Sequence, residues 1–320
     1  MTSRVHEAPR HPLLNLRVYQ DNGSLLAALV IPTDPRDRYV SAEMLYRYCS
    51  LVFLFPNENE WAIYKLRRDS TPGPALRPSG RASVDPGNYI VLDKDQDPIA
   101  VNLTTNSAPR RVTTREPHTQ SQDRSDRDRL QTAFRNSLRE RDNCCAITGQ
   151  SRPIDLERPF LALDATHIFP VCMIEEWRRD GYRKYITYTR PDSGIGESGL
   201  YSAQNGLLLS ADIHVHFDDF RIGIDPDSDY KIIVFGLDPG RMGGARLKES
   251  ARNGPGRVSA DLLRWHLRMC LYENLKANTE RQALWEEDLG EDPMSAILRQ
   301  PDAAKRMEVE LFTRLGGIIA

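Results

Sequence analysis

The chain has 320 residues, of which 40% are hydrophobic and 28% charged, and its formal net charge is −2. This composition is typical of a globular protein with a sizeable core and excludes a disordered or fibrous chain. The balanced charge excludes a basic field over the whole protein, so contacts with nucleic acid have to come from local patches. No apolar run approaches the roughly 18 residues of a membrane-spanning helix. The first residues lack the apolar segment of a signal peptide, so we expect none.

The cysteines indicate a reducing compartment. Five are present, an odd number, and no C-x-x-C pair occurs. Cys144 and Cys145 are adjacent, which makes them a poor disulfide pair. We therefore expect an intracellular protein, nuclear or cytoplasmic. The lack of paired thiolates also argues against a structural zinc cluster.

Residues 1–103 predict a β-rich N-terminal domain. Short runs rich in Val, Ile, Leu, Tyr and Phe alternate with turn-forming clusters, which is the spacing of strands joined by turns. The strand-like runs are LNLRVYQ, SLLAALVIP, LVFLF, WAIYKL and NYIVLD. One short helix is expected at SAEMLYRYC, with Ser41 as its N-cap. No group of side chains in this domain suggests chemistry.

Residues 104–125 are polar and nearly free of large apolar side chains, which predicts a linker. The segment that follows is predicted to be a helix. Its Leu130, Phe134 and Leu138 recur at four-residue steps, and Ser125 is suited to the N-cap.

Residues 126–240 contain every candidate catalytic side chain. Three segments stand out there: CCAITGQ at 144–150, LALDATHIFP at 161–170 and NGLLLSADIHVHFD at 205–218. The second predicts a strand with His167 near its end. The third predicts a turn at Asn205, then a strand, then a short helix that begins after Ser210 and carries His214.

Together, a histidine on a strand, an asparagine in a loop and a histidine on the following helix resemble the ββα-metal core of HNH endonucleases, and the closer match is to fungal HNH-nuclease domain proteins. The order and spacing of the three segments carry the resemblance, with LLRWH and a helical tail after them. It covers about residues 126–315. The resemblance implies a metal-dependent endonuclease that hydrolyses phosphodiester bonds in DNA. Taken alone, a histidine on a strand is more often a core residue than a base.

Such a reaction has two chemical needs. A base has to activate water, and a divalent cation has to stabilise the charge of the transition state. A neutral imidazole, with an ordinary pKa of about 6.5, suits the base near neutral pH. The resemblance implies that His167 is this base, that Asn205 holds the imidazole and the strand pair in place, and that His214 binds the metal. The sequence does not distinguish Mg²⁺, Mn²⁺, Ni²⁺ and Zn²⁺.

The second metal ligand departs from the commoner pattern. Many HNH proteins place Asp, Glu or His directly before the base, where this chain has Thr166. Asp218 lies four residues after His214, so the two project from one helix face. Asp164 points to the same face of the strand as position 166 but lies two residues, about 6.6 Å, before it. We favour Asp218 over Asp164 as the ligand, and we expect His216 to point elsewhere.

The segment WRRDGYRKYITYTR at 177–190 is the predicted nucleic-acid surface. Cations suit phosphates and aromatic faces suit bases. The cations expected to contact DNA are Arg178, Arg179, Arg183 and Lys184. The alternative is a solvated surface whose aromatic side chains pack inward, and the sequence favours neither.

Residues 241–320 are predicted to be a helical extension. Leu262, Trp265, Met269 and Tyr272 form an apolar stripe behind an N-cap at Ser259. Two further helices are expected around SAILRQ and PDAAKRMEVELFTRL.

The sequence thus predicts an α+β protein with a β-rich N-terminal domain, a linker, an HNH-like ββα-metal domain and a helical extension. Two functions stay open: a metal-dependent endonuclease acting on DNA, and an inactive HNH-fold binding module whose protein partner is selected by the N-terminal domain. Geometry discriminates between them. Convergence of His167, His214 and one carboxylate around a solvent-open point makes metal binding credible. A side chain that fills this point favours the module.

Overall fold

The structure is a computed structural model, and it describes residues 14–56, 60–109, 121–150, 160–188 and 194–277, without the side chains of 121–125 and 127. Helices and strands are mixed along the chain, and a strand-rich region comes first. The fold class is therefore α+β, as the sequence predicts.

The N-terminal region is built on a five-stranded sheet with the strand order β2-β1-β6-β4-β5. Strands β1 and β6 are parallel, and the other neighbouring strands of this sheet are antiparallel. A separate antiparallel pair joins β3 to β7. The bounds are β1 Leu16–Tyr19, β2 Leu25–Leu29, β3 Phe53–Leu54, β4 Trp61–Leu66, β5 Pro72–Ala75, β6 Gly87–Asp93 and β7 Asn102–Leu103.

Helix α1 (Ala42–Val52) packs among these strands. It begins where the sequence predicts, because the Ser41 side chain accepts a hydrogen bond from the Met44 backbone N–H at 3.2 Å. The strand predicted over 51–55 is partly wrong. The buried face of α1 continues through Val52, so the helix uses the first two residues of that run and leaves β3 only Phe53–Leu54.

The middle of the chain begins with a long helix, α2 (Ser121–Asp142). It starts four residues before the predicted cap, inside the predicted linker, and residues 110–120 of that linker lie outside the described residues. The elements that follow are β8 Leu163–His167, α3 Ile174–Arg179, β9 Gly206–Ser210, α4 Ala211–Asp218, β10 Ile222–Asp225 and β11 Lys231–Val234. Strands β8 and β9 form one antiparallel pair, and β10 and β11 form another.

The chain then forms a short helix, α5 (Glu249–Arg252), and a longer one, α6 (Ala260–Asn274). All four residues of the predicted apolar stripe on α6 are buried. The further helices predicted around 295–315 lie outside the described residues. None of the described helices is long and apolar enough to cross a membrane.

The N-terminal sheet is joined to the end of α6. The backbone N–H of Ala28 on β2 donates to the carbonyl of Leu275 at 2.9 Å, and Ala277 donates to Leu26 at 3.1 Å. Residues up to 277 make up one compact unit. The boundaries at 103, 125 and 240 remain predictions about independent folding.

Candidate functional site

The site is built on β8, β9 and α4. Residues of β8 pair with β9 in the register Asp164 with Leu209 and His167 with Gly206, and α4 follows β9 without a loop. Asn205 ends the short turn before β9. The strand pair and the helix place His167 beside Asn205 at one end of the pair and His214 beside Asp164 near the other end. The charges of His214 and Asp218 still act on His167.

Asn205 ties together the segments around the site. Its side chain is fully buried, and its Oδ1 accepts from the backbone N–H of Phe169 at 2.8 Å. Its Nδ2 donates to the carbonyls of Phe169 at 3.1 Å and Leu200 at 3.0 Å. The same Nδ2 lies 3.5 Å from Nδ1 of His167. Asn205 therefore fixes the chain that leaves β8 and limits rotation of the imidazole.

His167 lies in an apolar enclosure. Its ring stacks on Phe134 of α2 with a centroid distance of 3.9 Å and an interplanar angle of 5°, and Tyr201 meets it edge-on at 5.5 Å. The residue as a whole is half-buried, but its Nε2 atom is buried with no hydrogen-bond partner in the described part of the chain. Burial lowers the pKa of His167 to about 3, and the Asp218 carboxylate offsets part of this effect. The imidazole is thus neutral at physiological pH.

His214 lies between two carboxylates. Its Nδ1 is 3.0 Å from Oδ2 of Asp164, and its Nε2 is 3.3 Å from Oδ2 of Asp218. The hydrogen bond with Asp218 raises the pKa of His214 most, burial opposes it, and Asp164 adds to the increase. Both aspartates considered from the sequence therefore contact His214, one from the strand and one from the next turn of the helix.

The side chains of His214, Asp164 and Asp218 have the right chemistry for a divalent cation but not the right arrangement. An imidazole and two carboxylates are suitable donors. However, the two carboxylates contact opposite nitrogens of one ring, so neither nitrogen is directed at an open point shared with a carboxylate. Among the described residues no group of three His, Cys, Asp or Glu side chains is arranged to hold a metal ion. The site as folded does not fit the cation that the resemblance implies.

Two further positions from the sequence take no part. Thr166 is 2% exposed, and its Oγ1 is buried without a hydrogen-bond partner in the described residues. It is therefore enclosed in the core. His216 is exposed on α4, and the described contacts give it no role at the site.

Helix α2 is a part of the site that sequence reasoning missed. Besides Phe134, it contributes the adjacent pair Arg141 and Asp142, which are bonded to each other at 2.7 Å. Arg141 donates to the carbonyl of Gly206 at 2.9 Å, and Asp142 accepts from the backbone N–H of Leu208 at 3.0 Å. The helix is thereby fastened to β9. The sequence shows that Phe134 and Leu138 belong to the apolar stripe of this helix. It does not show that Phe134 packs on the His167 ring.

The contact between α2 and β9 needs a glycine at position 206. A Cβ added there would lie 2.6 Å from Cε2 of Phe134 and 2.9 Å from Cδ1 of Leu138. We expect Gly206→Ala to lower the free energy of unfolding by about 1–3 kcal/mol, because both neighbours are packed in the core. Chemical denaturation measures this loss. Gly256→Ala is the control, since a Cβ at Gly256 meets nothing within 4 Å. Equal stability of the two variants would contradict the prediction.

The cations predicted to contact DNA already have partners. Arg178 pairs with Glu175 at 3.0 Å, and Arg179 with Asp180 at 2.8 Å. Arg183 donates to the carbonyl of Ile186 at 2.8 Å, and Lys184 lies over the Tyr185 ring at 5.0 Å. The neighbouring Trp177 is 1% exposed and packs on Phe169 and Tyr182, so this aromatic group faces inward. Contact of these four cations with DNA stays a prediction.

The antiparallel pair β8–β9 with His167, the turn with Asn205 and helix α4 with His214 follow one another in the order of a ββα nuclease domain. Residues 145–225 match the family model HNH_2, described as HNH endonuclease. The predicted resemblance to HNH endonucleases is confirmed for this segment. The narrower resemblance to fungal proteins, and its extent over residues 126–315, stay predictions. No curated protein and no solved structure matches the chain. The match does not include α2, which closes one side of the site.

Proposed function

We propose that this protein is an HNH-type endonuclease that hydrolyses phosphodiester bonds in DNA. The observation that carries the proposal is that, within the segment that matches the family, His167 lies beside Asn205 and His214 lies between Asp164 and Asp218. HNH domains typically use a divalent metal, and the proposal includes one, with His214 and Asp218 or Asp164 as its ligands. At least one carboxylate contact of His214 has to open before a cation can enter.

The chain's own groups support a base at position 167. Nε2 of His167 carries no hydrogen bond in the described residues. In the tautomer whose proton is on Nδ1, Nε2 presents the lone pair that accepts a proton from water. Asn205 and the stacked Phe134 hold the ring in one orientation. Orientation of this kind reduces the entropy cost of the proton transfer.

A second candidate is a nucleic-acid-binding module without hydrolytic activity. Two observations favour it. A base works best with a pKa near the operating pH, whereas burial lowers that of His167 to about 3. In addition, both nitrogens of His214 are occupied by carboxylates. This candidate predicts that DNA binds and stays intact.

The first test is nicking of supercoiled plasmid by the full chain with Mg²⁺, Mn²⁺, Ni²⁺ or Zn²⁺. We expect one or more of these cations to support nicking. His214→Ala should reduce it by at least about 100-fold, because loss of outer-shell partners alone costs metal sites about 10–100-fold. His216→Ala is the matched control: it removes an exposed imidazole from the same helix and should leave nicking unchanged.

The outcomes separate the two candidates. Nicking that survives in His214→Ala would overturn the assignment of the site. Absence of nicking with every cation, by folded protein that binds DNA, would replace the nuclease by the binding module.

A further inference from the structure

One face of α2 lines a cleft beside the candidate site. Gln131, Arg135 and Arg139 recur at four-residue steps and therefore share a face of the helix. They line a cleft of about 440 Å³ whose other lining residues include Asp164 and His214. Pockets of this size accommodate small ligands or part of a larger one.

The two arginines of this face have no acidic partner among the described residues. Arg135 is exposed, and Arg139 is half-buried with its guanidinium 4.5 Å from the centroid of the Phe160 ring. Neither forms an ion pair with another described residue, and Nε of Arg139 is buried without a hydrogen-bond partner among them. Two like charges four residues apart on a helix repel each other. Burial, and then the charge of Arg135, lower the pKa of Arg139.

An anion in the cleft would relieve this repulsion. Guanidinium groups bind phosphate through paired N–H donors, which gives both energy and geometry. The positive charges of the two guanidinium groups would also offset the negative charges of Asp164 and Asp218, which repel a phosphodiester approaching His214. The exposed arginines of α3 contrast with them, since Arg178 and Arg179 have their charges matched by neighbouring carboxylates.

We propose that Arg135 and Arg139 form a phosphate clamp that holds the backbone of a DNA duplex in this cleft, next to Asp164 and His214. The clamp rests on the proposed function and deepens it. The proposal assigns the positioning of DNA to α2, a helix that precedes the family match. This surface differs from the one on α3 that the sequence predicts.

The test measures binding of a short fluorescently labelled DNA duplex to the full chain by fluorescence anisotropy, between about 50 and 200 mM KCl. EDTA is present so that metal-dependent cleavage does not occur. Each phosphate contact contributes about 0.9 to the slope of log affinity against log salt. The double variant Arg135→Gln/Arg139→Gln should lower the affinity about 10-fold or more and reduce the slope by about two. The matched control is Arg178→Gln/Arg179→Gln, which should change the affinity and the salt slope less than the α2 double variant does.

A second variant guards against misfolding. Arg135→Gln changes an exposed side chain without described ion pairs, so its fold should be intact, and its slope should fall by about one. Arg135→Lys keeps the charge and should restore most of the slope. An unchanged slope in Arg135→Gln, an equal loss in the α3 control, or no binding by the wild-type chain would overturn the clamp.

Cleavage is measured separately on the same preparations. Binding that depends on the two arginines, without cleavage by the wild-type chain, would support the clamp and overturn the nuclease. Cleavage by a wild-type chain whose binding ignores the two arginines would support the nuclease and overturn the clamp.

Discussion

His167→Ala should reduce plasmid nicking by about 10²–10⁴-fold, the usual contribution of a general base. The change removes the Nε2 lone pair but leaves Asn205 and the carboxylates around His214 in place. Because burial lowers the pKa of His167 to about 3, its imidazole is unprotonated throughout the neutral range. Wild-type activity should therefore show no loss from protonation of His167 between about pH 8 and 5. Single-turnover nicking rates measure the effect.

The chain offers a matched control for the loss of a stacked, buried histidine. His266 stacks on Phe217 with a centroid distance of 3.8 Å and an angle of 6°, much as His167 stacks on Phe134. Burial also lowers its pKa, to about 4, but its Nε2, unlike that of His167, has a hydrogen-bond partner, the carbonyl of Phe217 at 3.1 Å. His266→Ala should cost comparable thermal stability and much less activity. Equal losses of activity in the two variants would mean that His167 is only a core residue.

Asp225→Asn should lower the free energy of unfolding by about 3–5 kcal/mol, the cost of breaking a buried ion pair. Asp225 is 1% exposed at the end of β10. Its Oδ2 accepts from the hydroxyl of Tyr48 at 2.7 Å and from Ser228 at 2.9 Å, and it pairs with the guanidinium of Arg47. An amide in its place leaves Arg47 without a counter-charge. Urea denaturation measures the loss.

Asp229→Asn is the control for this prediction. Asp229 also pairs with arginines, Arg246 at 2.8 Å and Arg252 at 3.4 Å, but its side chain is 54% exposed. Exposed ion pairs contribute little, so the control should lose less than about 1 kcal/mol. A loss in Asp225→Asn no greater than this would contradict the prediction.

The same measurement tests the predicted domain boundary at residue 103. Arg47 and Tyr48 belong to α1, whereas Asp225 belongs to the HNH domain, so the carboxylate connects the two regions. If they unfold as one unit, Asp225→Asn should shift the midpoint of a single transition. Two separate transitions, of which only one shifts, would show that residues 1–103 fold independently.

Local sequence patterns were sufficient for the elements that carry the site. Strands β8 and β9 and helix α4 follow from short apolar runs, the turn at Asn205 and the helix start after Ser210. These signals depend on neighbours within a few residues, which is why they can be read without the fold. The strand expected over 51–55 was partly wrong for the complementary reason: so short an apolar run suits either a helix end or a strand, and the packing of α1 took its first two residues into the helix.

Only the tertiary structure decided what surrounds these elements. It placed Phe134 on the imidazole of His167, both Asp164 and Asp218 on His214, and Arg135 and Arg139 in the cleft. It also showed the cations of α3 paired with acids and Asp225 joining two regions 177 residues apart. The sequence by itself determined the type of domain and singled out its candidate residues, because both depend on local order and spacing. Burial, charge pairing and the contribution of α2 depend on which distant segments pack together, so they required the fold.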